Sequence, residues 1–294
     1  MFKNSIKKIF FAATFLFLMN VAFAQEVVFN YDESKVPDYV LPDILRMNNG
    51  KIASTARQWE KQRRPELLEL FASQMYGRTP KEKIRVAYET LSENPNFLNG
   101  KATAKQVKFI FSNGAKKQEA VLLLVLPNQP KGKIPVIISY NYRGNHTTAS
   151  DPSVLMPSFL SLPEVPEHIR WEDSWKERGN QSTRWPFEQI VDRGYGVATM
   201  FYQDIYPDRA NYDEHGVVSL FSCYEPGKKA PDQWQALGAW AWGFSRIADY
   251  LKTQKRVDKK KFVMDAPIKH VGEFEITIKL YYDVSAKIKV IVTA

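Results

Sequence analysis

The chain has 294 residues, 44% of them apolar, a formal net charge of +9 and one cysteine, Cys223. That length and apolar content suffice for one large α/β domain or two ordinary ones, and they exclude a disordered chain. The charge excludes a general polyanion-binding body, because residues 1–25 carry +3, residues 252–294 carry +5 and the 226 residues between carry only +1.

The N-terminus has a basic start (Lys3, Lys7, Lys8), an apolar run from Ile9 to Met19, and Ala22-Phe23-Ala24, a small-x-small cleavage site. A signal peptide over residues 1–24 is expected, with Gln25 as the mature N-terminus. The apolar run is shorter than the roughly 20 residues a spanning helix needs, so the expected destination is the periplasm or the medium, with no membrane association after cleavage. A lone Cys223 forms no internal disulfide, and without an activating neighbour it reads as a buried small apolar residue.

Residues 53–76 start with Ser54 and Thr55 as candidate caps and place Trp59, Leu67, Leu70, Phe71 and Met75 at mostly helical spacing, ended by Gly77 and Pro80. Three β-rich runs, 83–91, 103–112 and 118–126, are separated by Asn/Pro/Gly and Lys/Gly punctuation and read as antiparallel strands. The apolar run 134–139 reads as a strand covered on both faces, and it ends in the polar loop Asn141 to Thr147. Residues 147–183 are too irregular for a regular element and suit an insertion over the sheet edge. A helix over 185–193, a strand over 196–201 and the polar loop 203–208 follow. A long helix over 231–251 would bury Trp234, Leu237, Ala241, Phe244, Ala248 and Leu251, and a strand is expected at 261–264. The last segment alternates over 274–280 and 288–292, as a β hairpin does.

A β meander leading into strand, helix, strand, helix, strand is an α/β sheet, and such sheets place ligands beyond the strand ends. Asn145 and His146, in the loop after the 134–139 strand, are therefore candidate substrate contacts or ties that hold the loop. Asp204, in the loop after the 196–201 strand, is the third candidate. Asp204, Asp208, Asp213, Glu214 and His215 cluster in sequence without calcium-loop spacing and read as a solvated loop, so no metal or other cofactor is expected. A serine nucleophile on such a sheet needs a Gly-x-Ser-x-Gly turn directly after a strand. Asp265 to His270 contain none, and the near match Gly243-Phe244-Ser245-Arg246 lies inside the long helix, where a serine hydroxyl bonds the preceding turn.

Several motifs in order, Met75 to Pro80, Asn141 to Thr147, Gly194 to Thr199, Asp204 to Asp208 and Ala239 to Arg246, resemble the bacterial glucuronoyl esterases of carbohydrate esterase family 15 over about residues 26–263. The resemblance implies an α/β-hydrolase fold and cleavage of esters between glucuronic acid side groups of xylan and lignin alcohols by a serine triad. The implied partner is a plant cell-wall carbohydrate or lignin-carbohydrate ester. The family's Gly-His-Ser-Arg-x-Gly-Lys motif follows the strand matched here by Phe262-Val263, and this chain departs from the pattern there. The nucleophile, its arginine neighbour, the acid and the histidine have no matching positions, so no residue is assigned as catalytic and no turnover is expected.

Instead, residues 257–294 resemble the end of bacterial ribosomal protein L9, without the N-terminal part that holds ribosomal RNA. The change of motif near residue 258 suggests a fusion or assembly chimera of two unrelated frames. The expected organisation is thus a signal peptide (1–24), the N-terminal part of an α/β-hydrolase-type esterase domain (25–263) and a β-rich tail (264–294). The fold class is α/β: an incomplete α/β-hydrolase-like sheet flanked by helices, with a C-terminal β hairpin.

Overall fold

The computed structural model describes residues 31–228 and 230–259, together with the backbone of 272–279 and 285–292. The expected signal peptide and the expected strand at 261–264 lie outside the described residues. Residues 1–44 and 45–294 form two separate units. Within the first, Asp32 caps a short 3-10 turn, Glu33–Lys35, by accepting from the Ser34 N–H at 3.1 Å.

The second unit begins with a helical run. Thr55 is its cap: it accepts from the Gln58 N–H at 3.2 Å, and the Gln58 side chain accepts from the Thr55 N–H in return, a capping box. Helix α1 (Ala56–Gln58) continues through a π turn, Trp59–Arg63, into α2 (Arg64–Phe71) and a second π turn, Ala72–Tyr76. Pro65 lacks an N–H for the regular ladder, which fits the wide turn before it. Gly77, at φ +75°, ends the run and lies against the backbone of Gln233, where a Cβ would come within 2.1 Å of the carbonyl oxygen. Of the apolar residues expected at helical spacing, Trp59 and Leu67 are half-buried, whereas Leu70, Phe71 and Met75 are exposed, as is Leu68 beside them.

Strands β1 (Arg85–Phe97), β2 (Ala102–Asn113) and β3 (Lys116–Pro127) form the expected antiparallel meander. β1 runs well past the expected end at residue 91. Its register slips between Thr90 and Ser92 and again between Asn94 and Phe97, a stretch containing Pro95. An edge strand tolerates proline and bulges because one side of its ladder is free, so punctuation that ends a central strand does not end this one. β4 (Val136–Asn141) and β5 (Gly196–Phe201) run parallel to each other, and the sheet order is β1-β2-β3-β5-β4.

Alternation along β3 distributes the core. Leu122 and Leu124 face a cluster with Phe109, Phe111, Met200, Ile247 and Leu251, on the side of helix α4 (Ala236–Thr253). Leu123 and Val125 face the opposite cluster with Phe97, Val197, Phe187 and Val191, on the side of α3 (Phe187–Asp192). A sheet buried on both faces explains why 121–126 reads as an unbroken apolar run. The 147–183 segment carries only 3-10 turns and packs Phe159, Ile169 and Trp175 against Phe201 and Tyr202 at the end of β5.

Within helix α4 the buried stripe shares only Leu251 with the expected one, Phe244 and Ala248 being half-buried; Trp234, also expected to be buried, is so just ahead of the helix. Ala239, Gly243, Ile247, Tyr250 and Leu251 are buried, whereas Leu237 is 54% exposed and Ala241 is exposed. Small residues set the seat: Tyr140 of β4 donates from its hydroxyl to the Trp240 carbonyl at 2.8 Å, and a Cβ on Gly243 would lie 2.2 Å from that hydroxyl. Cys223 is exposed, not buried. Its neighbour Phe221 is the buried anchor, and Glu82 accepts from the backbone and hydroxyl of Ser222, which turns the chain outward at Cys223.

In the tail, β6 (Gly272–Lys279) pairs antiparallel with β7 (Ser285–Val292) in a second, two-stranded sheet.

Candidate functional site at the ends of strands β4 and β5

β3 and β5 pair only over Leu122–Val125 opposite Met200–Val197, so the next residue of β3, Val121, has no strand partner on that side. Two of the three candidate residues serve it. The Asn145 amide donates to the Val121 carbonyl at 2.9 Å, and Asp204 accepts from the Val121 N–H at 3.2 Å. Asn141, the last residue of β4, donates to Asn145 Oδ1 at 2.7 Å and to Thr199 Oγ1 at 3.1 Å. The ends of β4 and β5 are thus tied to the middle of β3 by one buried polar network, which side chains extend where the β3–β5 ladder stops.

Burial pushes the Asp204 carboxyl up to about 7, against the opposing Val121 hydrogen bond. The third candidate, His146, is fully buried, and its Nε2 donates to the Trp175 carbonyl at 2.6 Å. Burial pushes its pKa down, and Nδ1 has no partner, so the ring is neutral with its proton on Nε2. Gly144 precedes it at φ +94°, with the His146 ring 3.0 Å from where a Cβ would stand. Asn145 and Asp204 therefore meet at Val121, whereas His146 anchors the start of the insertion separately.

Just past the end of β4 the chain turns Tyr142 outward. Tyr142 is exposed and packs at a tilt of 55° to Tyr202 with ring centroids 5.0 Å apart, and half-buried Arg143 lies 5.9 Å above the Trp175 ring. Half-buried Trp171 has the Lys176 ammonium 4.8 Å above it. Tyr142, Arg143 and Trp171 were not singled out from the sequence, although the alternation after buried Asn141 is a signal for the first. Among the described residues no group of three or more His, Cys, Asp or Glu side chains gathers as a metal site. Asp208 accepts from the Tyr202 hydroxyl and Asp213 from that of Tyr206. Cavities of about 550 Å³ (beside Arg78, Tyr224 and Trp234) and 620 Å³ (beside Asn96, Asp151 and Trp185) contain none of the three candidates. Ser245 is exposed in mid-helix, 3.4 Å from the Ala241 carbonyl, with no activating base in contact.

A mixed sheet with a meander on one side, a parallel pair on the other and helices on both faces is the α/β-hydrolase-like arrangement of the glucuronoyl esterases, and the body of this chain resembles that family. A carbohydrate esterase from an unknown prokaryotic organism is 35% identical over 242 residues, 81% of this chain and 55% of that protein. The solved glucuronoyl esterase from Solibacter usitatus has a TM-score of 0.66 at 36% identity, covering 77% of this chain and 57% of that one. A promiscuous family 15 esterase from a marine bacterial metagenome has a TM-score of 0.62 at 32% identity, covering 79% and 58%. The chain spans about half the length of the curated relative it matches along its body. Residues 243–294 match the family model for ribosomal protein L9, C-terminal domain. Large ribosomal subunit protein bL9 of Geobacter sulfurreducens is 48% identical over 48 residues, 16% of this chain and 32% of that protein. The family match begins inside α4, earlier than the change of motif near 258.

Proposed function

We propose that this chain carries the N-terminal part of an exported glucuronoyl esterase-like carbohydrate esterase acting on glucuronic acid esters of plant cell-wall xylan. Its likeness to carbohydrate esterases over most of its length carries the reading. The network around Val121 ties the ends of β4 and β5 to the middle of β3, and the strand ends are where an open α/β sheet meets its ligand. In this reading Asn145, His146 and Asp204 shape the floor of the substrate surface, and exposed Tyr142 with half-buried Arg143 and Trp171 contact carbohydrate.

Covalent ester hydrolysis needs a nucleophile, a base and an oxyanion site held together, and this sequence lacks the serine motif. The chain on its own is accordingly inert. The test is hydrolysis of a glucuronoyl ester by the purified chain, beside a version extended with the C-terminal portion of the Solibacter esterase. Turnover only in the extended protein is expected. Turnover in both would overturn the inert reading, and turnover in neither would count against the esterase reading.

A second reading, a non-catalytic fusion or assembly chimera with a ribosomal-protein-like tail, is favoured by the L9 match over residues 243–294. Resequencing the locus decides it: one uninterrupted esterase frame beyond residue 258 would make the tail an artefact. Export, proposed from the N-terminal sequence, predicts that the mature protein outside the cytoplasm starts at Gln25.

A further inference from the structure

The insertion after β4 is stitched to the loop after β5. Gln203, buried at the end of β5, accepts from the Arg170 N–H at 2.9 Å and donates to the Arg170 carbonyl at 2.7 Å. Outside that pair the Arg170 guanidinium stands 3.6 Å from Asp208. Further out, the rings of His168 and His215 lie face to face, 4.0 Å between centroids and 5° from parallel. His168 precedes Ile169, a buried member of the cluster under the insertion. His215 closes the turn Asp213–His215, and two residues later the Val217 N–H donates to the Ile205 carbonyl at 2.9 Å.

We propose that the stacked imidazoles of His168 and His215 form an acid-sensitive clasp between the two loops that border the ends of β4 and β5, closed while the rings are neutral and opened when both take up protons. Two neutral imidazoles stack with their faces in contact. Two imidazolium rings at this spacing place like charges ring to ring, without room for a counter-ion between them. The Glu214 carboxylate, 3.5 Å from His215 Nε2, is placed to balance one such charge. The other charged groups around the pair are committed elsewhere: Glu167 accepts from the Tyr212 hydroxyl, Asp213 from that of Tyr206, and Asp208 serves Tyr202 and Arg170. Arg209, whose charge is felt at Tyr212, adds positive potential.

Burial, and then the charge of His215, push the His168 pKa below its ordinary value. The sign follows: the opened loops bind more protons than the closed ones, so the clasp is fully closed above about pH 6.5 and is lost as pH falls below it.

The test uses the full chain at low concentration. Mass spectrometry follows histidine Cε1–H exchange against pH at His168 and His215, and backbone amide exchange, corrected for its intrinsic pH dependence, at pH 7.5 and 5. Expected are a His168 midpoint below the free value, and a several-fold rise at acid pH in amide exchange over 165–170 and 212–217 with no rise over β2 and β3. His215→Phe keeps a ring on His168 but cannot take up the second proton. It should move the His168 midpoint upward and reduce the acid-induced rise several-fold, leaving only the part that burial of His168 supplies. His215 is exposed, so this variant is expected to fold, and His168→Phe is the reciprocal control. Equal exchange at both pH values, or an acid response in His215→Phe matching the parent, overturns the clasp.

Discussion

Asp204 shows how much a single side chain carries at the strand ends. It caps an N–H that the sheet leaves unpaired, yet it does so with a carboxyl that burial raises to about 7. A raised carboxyl means the folded state holds its proton longer than the unfolded chain, so this site costs stability as pH rises from about 4 to about 7. Asp204→Asn keeps an acceptor for Val121 and has no proton to lose. It should be as stable as the parent near pH 4 and more stable by on the order of 2 kcal/mol near pH 8, in urea titrations at the two pH values. A pH-independent difference would mean that the carboxyl is already ionised throughout. Asn145→Ala should cost about 1–3 kcal/mol, because it strands the Val121 carbonyl and removes the acceptor of Asn141. The same burial rules out glycan attachment at Asn145 in the folded chain, although Asn145-His146-Thr147 fits the sequon.

At the scale of the element, helix α4 is positioned by what its residues lack. Gly243→Ala places a methyl 2.2 Å from the Tyr140 hydroxyl and should destabilise by about 1–3 kcal/mol, whereas Leu237→Ala on the exposed side should stay within about 0.5 kcal/mol, both read from chemical denaturation. The opposite ranking would restore the stripe of large apolar residues as the packing face. Gly77→Ala should be worse than Gly243→Ala, since it combines a positive φ with a clash against the backbone of Gln233, which cannot rotate away.

Across the whole molecule, apolar surface is left uncovered in two places. Leu68, Leu70, Phe71 and Met75 are exposed on the first helical run, and Ile137 is 46% exposed on β4, the last strand of the sheet order. Among the described residues the outer side of β4 continues only as a parallel bridge from Ile134 to Val257, the position from which a further parallel strand would start. An open strand edge beside apolar patches favours association. The chain should bind a hydrophobic dye in its folded state, associate as concentration rises in sedimentation velocity, and unfold over a broad range on heating. Phe71→Lys should reduce the association. A sharp transition of a strictly monomeric protein would count against this account.

Local pattern was enough for the meander and for the order of the elements from β1 to α4, because helices and alternating strands write their period into neighbouring residues. It was also enough to show that the serine elbow is missing, since that motif is contiguous. It failed for β4, whose apolar run reads as covered on both faces although residues 136–140 are half-buried or exposed, because β4 stands last in the sheet order. It was not enough for the face of α4, the length of β1 or the surroundings of Cys223, which depend on residues far away in the chain: Tyr140 against Gly243, the free edge beside Pro95, and Glu82 holding Ser222. The same holds for the candidate site. Asn145 and Asp204 were legible as strand-end residues, but their meeting at Val121 follows from where the β3–β5 ladder stops, and only the tertiary pairing decides where hydrogen bonds run out.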